Sequence, residues 1–150
     1  MQLDTIALGT VTYDEQDVIT FPQGIPGFEG YHRFLIINID EESSLGCLQS
    51  LDDSRVHFII INPFTVYLNY EFKIEAADQS ELGIQSEADV EVWSIVTGNE
   101  HIQEATMNLM APIIINKQNR NAKQIILHNS AYRTKHAIHD LMAAVQDEGE

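Results

Sequence analysis

Residues 19–31 read ITFPQGIPGFEGY, and they put two prolines (Pro22, Pro26), three glycines (Gly24, Gly27, Gly30) and three aromatics (Phe21, Phe28, Tyr31) into 13 positions. A stretch that alternates φ-fixing and φ-freeing residues is either a ligand loop or a rigid corner. A phosphate-cradling loop requires a glycine-rich turn after a strand, a helix start behind it, and a Lys with Ser or Thr. This stretch has no Lys, and the next segment, RFLIINI (33–39), has a β-branched strand pattern. Pro22 and Pro26 also remove N–H donors that a phosphate would need. The stretch is therefore read as architecture. Prolines set φ, glycines supply positive φ, and the three aromatics cover the open end of a small barrel. Loops held on rigid scaffolds also carry binding, so a position bordering an interface stays open.

Outward from this corner, strand patterns dominate. QLDTIAL (2–8) and TVTY (10–13) alternate around Gly9, and DEQD (14–17) is a polar turn before VITF (18–21). LGCLQSL (45–51) and VHFIII (56–61) flank DDSR, a hairpin signal in which Asp52 and Asp53 shape the turn. Pro63 ends the second of these strands because it brings no N–H to a ladder. TVYLNYEFKIE (65–75) reads as extended and aromatic, and DQSELGI (78–84) as one helical turn stopped by Gly83. Val90 to Val96 is a strand with Val90, Val92, Ser94 and Val96 on one side and Glu91, Trp93 and Ile95 on the other. ATMNLMAPIIIN (105–116) reads as two strands jointed near Pro112, and KQIILH (123–128) as the next strand after the turn KQNRNA. The period changes only at the end, where Ile138, Leu141, Met142 and Val145 predict a helix. Many short strands with one terminal helix predict a mainly β fold, a small antiparallel β-barrel-like domain with a short C-terminal helix.

The chain has 150 residues, enough to bury about 68–70% of its unfolded surface without metal or disulfide. Cys47 is the single cysteine, so no intrachain disulfide forms, and it reads as a small buried apolar residue. No apolar run nears the roughly 20 residues of a membrane helix, and MQLDTIALGT lacks the basic start of a signal peptide. A cytoplasmic location and no membrane partner are expected.

Charge is the strongest compositional signal: 23 acids face 8 Lys and Arg, for a net of -15. Phosphate-backbone binding depends on Lys and Arg, so direct nucleic-acid binding is disfavoured. Glu71 to Glu104 holds nine acids against Lys73, whereas Lys117 to Lys135 holds five bases and no acid. The acidic stretch is either a solvated surface or a docking face for a basic partner. Glu71 and Glu75 sit beside Phe64, Tyr67, Tyr70 and Phe72, which suggests an edge interface, although the aromatics also suit a core.

No catalytic constellation emerges. The carboxylate pairs all sit in turns, where nothing desolvates them for acid–base work, and no enzyme activity is expected. His136 and His139, with Asp140, are spaced for a helical metal site but lack a distant ligand, so no metal or cofactor is expected. An internal pocket would instead make the barrel a ligand binder or enzyme.

ITFPQGIPGFEGYHRF, LQSLDD, INPFTVYLNYEF, ELGI, WSIVT, MNLMAPIIIN and KQIILHNSAYRTKH occur in this order. Together they resemble the flagellar assembly factor FliW family from about Leu3 to His136. The most specific motifs are Phe21 to Phe28 and Asn108 to Asn116. On this resemblance, residues 1–136 form the FliW-like β-barrel domain and 137–150 a helical extension of it. The resemblance implies a non-enzymatic protein that binds flagellin in the cytoplasm. When flagellin is exported, it binds the RNA-binding regulator CsrA and relieves repression of flagellin synthesis, either allosterically or by direct occlusion. Phe21, Pro22, Gly24, Pro26, Gly27 and Phe28 are then the structural signature loop. Tyr67, Tyr70, Glu71, Phe72, Glu75, Asn108 and Asn116 are the candidate partner-binding residues.

Overall fold

The computed structural model describes residues 1–5, 8–39, 45–97, 105–128 and 131–138. β1 (Gln2–Thr5) and β2 (Gly9–Thr12) form a separate hairpin. The main sheet is antiparallel. It is built from β3 (Ile19–Thr20), β4 (Arg33–Asn38), β5 (Leu45–Ser50), β6 (His57–Ile61), β7 (Val90–Thr97), β8 (Thr106–Met107), β9 (Ile113–Asn116), β10 (Ala122–Gln124) and β11 (His136–Ala137). Its path runs β10-β9-β7-β6-β5-β4-β3, with β8 on the far end of β7 and β11 beside β8.

The expected hairpin is present. Asp52 Oδ2 accepts from His32 N at 2.9 Å and Arg33 N at 3.2 Å, while Asp53 Oδ1 accepts from Arg55 N at 2.9 Å. Hydrogen bonds from Arg55 hold the Asp53 carboxyl down at about 2. These carboxylates serve the turn.

Seven strands on one path curl until their ends meet at a single point. Thr20 bridges Asn121, and Thr20 N donates to Arg120 O at 2.9 Å. The sheet is not closed into a barrel, because β3 is only two residues long and cannot continue the ladder along β10. α2 (Ala76–Leu82) lies near the open seam, where Lys123 Nζ reaches Asp78 and Glu81 at 2.7 Å each and Gln23 donates to Glu81.

Two apolar clusters lie on opposite faces of this sheet. The concave cluster takes Ile19, Phe34, Leu48, Ile60, Trp93, Ile113, Ile115 and Ala122, residues from every strand of the path, and adds Phe21 and Ile25 from the signature loop. The outer cluster takes Ile61, Ile114 and, half-buried, Val92, their alternating neighbours. A strand buried on both faces reads as a continuous apolar run, which explains Ile113–Ile115. Val66, Tyr70, Leu82, Leu109 and Ile138 cover the outer side.

The signature loop closes one end of the concave cluster. Phe21 is fully buried and meets Phe34 edge-on at 5.2 Å. Gly24 has φ +71, and a Cβ there would lie 2.6 Å from Glu29 Cα. Gly27 has φ +88 with open space around it. Phe28 packs edge-on against Phe58 at 5.1 Å while staying partly exposed.

Two expectations change here. Residues 65–75 are not an edge strand. α1 (Pro63–Val66) starts there, with Asn62 Oδ1 accepting from Phe64 N at 3.0 Å, and Pro63 occupies the first turn, where its missing N–H costs nothing. His136 and Ala137 pair with β8 rather than opening a helix. Ile138 is helical, and the rest of the predicted helix, with His139 and Asp140, lies outside the described residues.

Candidate functional site

Beyond α1 the chain turns through Tyr70 N donating to Tyr67 O at 3.0 Å. Tyr70 is only 3% exposed, its hydroxyl donates to Leu109 O at 2.7 Å, and burial raises its phenol above the ordinary range. Phe64, Tyr67, Phe72 and Tyr132 surround it, with the Tyr132 ring 4.7 Å away and edge-on. The aromatics thus form a small cluster centred on Tyr70, with Phe64 exposed and Tyr67 and Phe72 half-buried.

From this cluster residues 71–75 run as an unpaired strap over the outer face. Two side chains tie it down. The Tyr132 hydroxyl accepts from Glu71 N and donates to Glu71 O, both at 3.1 Å, and Gln79 Nε2 donates to Ile74 O at 2.7 Å. A groove of about 560 Å³ separates the strap from residues 125–128. A second, of about 640 Å³, separates it from residues 84–92. Glu71, Glu75 and Asp78 line the first, and Glu71 and Glu87 the second. Both grooves lie outside the concave core, whose residues Phe21, Phe34, Leu48 and Ile113 are buried to 1% or less.

The structure sorts the candidate residues. Glu71 and Glu75 are exposed on the strap, and Tyr67 and Phe72 are half-buried beside it. Tyr70 is 3% exposed and packs in the outer core cluster at the wall of the second groove. Asn116 is buried, and Asn108 is half-buried. Asn108 Oδ1 accepts from Met110 N at 3.1 Å and Ala111 N at 2.9 Å. Asn116 is 1% exposed; its Nδ2 donates to Leu82 O and its Oδ1 accepts from Gln118 N, both at 2.8 Å. Both asparagines therefore satisfy backbone groups in sharp turns.

Two of the five bases in the stretch 117–135 are tied into the fold, while Lys117, Arg133 and Lys135 are exposed. Lys123 is held between Asp78 and Glu81, whose carboxylates raise its pKa, and Arg120 donates to Asp17 O at 3.3 Å. Tyr132 and Ile126, which is 52% exposed in the first groove, were not singled out from sequence. Tyr132 reaches Glu71 across 61 positions, a separation that no local pattern reports.

Among the described residues no group of three or more His, Cys, Asp or Glu is placed to hold a metal ion. His136 Nε2 accepts from Arg133 N at 2.8 Å. Cys47 is fully buried, which pushes its thiol up and away from thiolate chemistry. Among the described residues no helix is long and apolar enough to cross a membrane.

Comparison with known proteins joins these observations. A family model described as "FliW protein" matches residues 2–138. The flagellar assembly factor FliW of Bacillus subtilis (strain 168) is 41% identical over 130 residues, covering 87% of this chain and 91% of that one. The flagellar assembly factor FliW of Alkaliphilus metalliredigens (strain QYMF) is 36% identical over 149 residues, covering 99% and 92%. A crystal structure of the flagellar assembly factor FliW superposes with a TM-score of 0.84 at 33% identity, covering 92% of this chain and 96% of that one. The signature loop, the open curled sheet and the acidic strap are thus features of a chain that belongs to the FliW family of flagellar assembly factors.

Proposed function

We propose that this chain is a non-enzymatic cytoplasmic regulator that binds flagellin and, once flagellin is exported, binds and antagonises CsrA. Family membership supports the role. The observation that carries the site is the strap, which gathers Glu71, Glu75, Asp78 and Glu87 around two open grooves while the concave core stays filled. An RNA-binding partner presents a basic surface, and an acidic face attracts it before contact. Screening lengths are about 8–10 Å at ordinary salt, so clustered carboxylates act together. The apolar wall of the second groove, with Phe64 and Phe72, suits an apolar segment of flagellin.

Stopped-flow association of Glu71→Lys with CsrA across a salt series tests the reading. Association slows and its salt dependence flattens, while stability changes by no more than about 0.5 kcal/mol because the side chain is exposed and the Tyr132 bonds use only backbone. A folded variant with the parent's on-rate and salt slope removes the strap from the docking face. Calorimetry with flagellin shortened at its C-terminal segment tests the other partner; undiminished binding removes that segment as the contact.

A further inference from the structure

The first groove has a strand edge on one side and an unpaired chain on the other. Ile125 N donates to Pro112 O at 3.0 Å and Leu127 N to Met110 O at 2.7 Å, so the β10–β9 ladder continues past Gln124. In an antiparallel ladder successive residues direct their N–H and C=O to opposite sides. Lys123, Ile125 and Leu127 face β9, so Gln124 and Ile126 face outward. Neither outward N–H has a partner within the protein among the described residues. Across the groove, the N–H and C=O of Phe72 and Lys73 are also unpaired among the described residues. β10 is the last strand of its sheet path. Sheet edges left open in this way are templates for another strand.

We propose that an extended peptide segment with alternating apolar and basic residues docks by strand addition on the Gln124–Ile126 edge, under the strap. This deepens the proposed function and rests on it for the location of the partner face. Strand addition satisfies the outward N–H groups of Gln124 and Ile126 and the Gln124 C=O, whereas the Ile126 C=O already accepts from His128 N at 3.1 Å; an α-helix cannot do this because its own groups are already paired. Alternation comes from the pleat, because every second side chain of the added strand meets the apolar floor. Ile125 and Leu127 form that floor, and the exposed Ile126 lies along it. Basic character comes from the lining, which has Glu71, Glu75 and Asp78 against Lys73. Asp78 is already paired with Lys123, and neither Glu71 nor Glu75 makes an ion pair among the described residues. A second copy of this chain carries the same net charge of -15 and is repelled. The chain's own residues 139–150 contain Asp140, Asp147, Glu148 and Glu150 and no Lys or Arg, so their charge also disfavours them as the occupant.

The test uses the full chain and four labelled nine-residue probes: alternating Lys and Val, the same peptide N-methylated at alternate positions, alternating Glu and Val, and a helical Lys/Leu peptide. Fluorescence anisotropy reads binding, and NMR amide exchange reads the edge. The Lys/Val peptide binds and slows exchange at Gln124 and Ile126. N-methylation on the pairing side weakens it at least tenfold, and the Glu/Val peptide fails to bind. Ile126→Pro deletes one outward N–H that the fold does not use, and weakens the Lys/Val peptide about five- to tenfold. Because the exchange readout needs no variant, a destabilised Ile126→Pro protein leaves the test intact. Lys/Val binding without protection of these amides, or equal protection by the helical peptide, overturns strand addition. A chain that binds flagellin or CsrA but not the Lys/Val peptide also overturns it and leaves the proposed function standing. Peptide binding with protection, but no binding of either protein, keeps the edge and removes the proposed function.

Discussion

The two faces of the sheet are covered by different means. The concave face is covered by the sheet's own curl and by one loop of fixed geometry, and its large side chains are almost wholly buried. The outer face is covered by α1, α2, the strap and Ile138, held by a few side-chain hydrogen bonds between residues distant in the chain. Strand-to-strand cover brings a dense ladder of backbone bonds. Cover by irregular segments leaves gaps, and both grooves occur there. A region held by few, long-range ties opens locally at lower cost than a laddered core. The outer cover can therefore shift without disturbing the concave core.

The largest expected contrast comes from aromatic truncation on each side. Phe21→Ala empties a fully buried site and costs about 3–5 kcal/mol, whereas Phe64→Ala, at a residue 39% exposed, costs less than about 1 kcal/mol. Thermal melts compare them, and similar losses would mean that the outer cover is as tightly coupled as the concave core.

Within the signature loop, Gly24→Ala and Gly27→Ala separate collision from backbone strain. Gly27→Ala carries only the left-handed backbone cost of about 1–2 kcal/mol. Gly24→Ala adds the 2.6 Å approach to Glu29 Cα and costs at least about 1 kcal/mol more. Urea midpoints check the order, and equal midpoints would show that residue 29 yields freely.

The smallest effect concerns β11. Burial, and then the charge of Arg133, lower the pKa of His136, whose neutral Nε2 accepts from Arg133 N. With the folded-state pKa below the unfolded one of about 6.5, the unfolded chain binds the proton more readily. This contribution is complete above about pH 6.5 and is lost as pH falls below it. The difference in urea midpoint between the parent and His136→Gln should therefore shrink from pH 7.5 to pH 5. A difference independent of pH would mean that the Arg133 bond does not depend on the neutral ring.

Much of the fold was legible because it has a period of two. Arg33–Asn38, Leu45–Ser50, His57–Ile61 and Val90–Thr97 appear close to where alternation and turn residues put them. In α2 the Gly83 stop appears as a left-handed cap with φ 69. Residues 65–75 were misread because Tyr, Phe, Val and Thr suit a strand as well as they suit a packed loop. The choice is made by Tyr70 reaching Leu109, 39 positions away, and by Tyr132 reaching Glu71.

By itself, the sequence determined what short-range chemistry encodes: strands from alternation, the corner from its prolines and glycines, an acidic protein from its charge, and the family from the order of its motifs. Only the tertiary structure decided which acids remain unpaired, since Lys123 joins Asp78 and Glu81 across more than 40 positions. Only it showed that Tyr70 and Asn116 are buried, that Asn108 bonds backbone groups of its own turn, and that the sheet stays open. These outcomes depend on contacts between segments far apart in the chain, and such contacts exist only after the sheet has curled and brought those segments together.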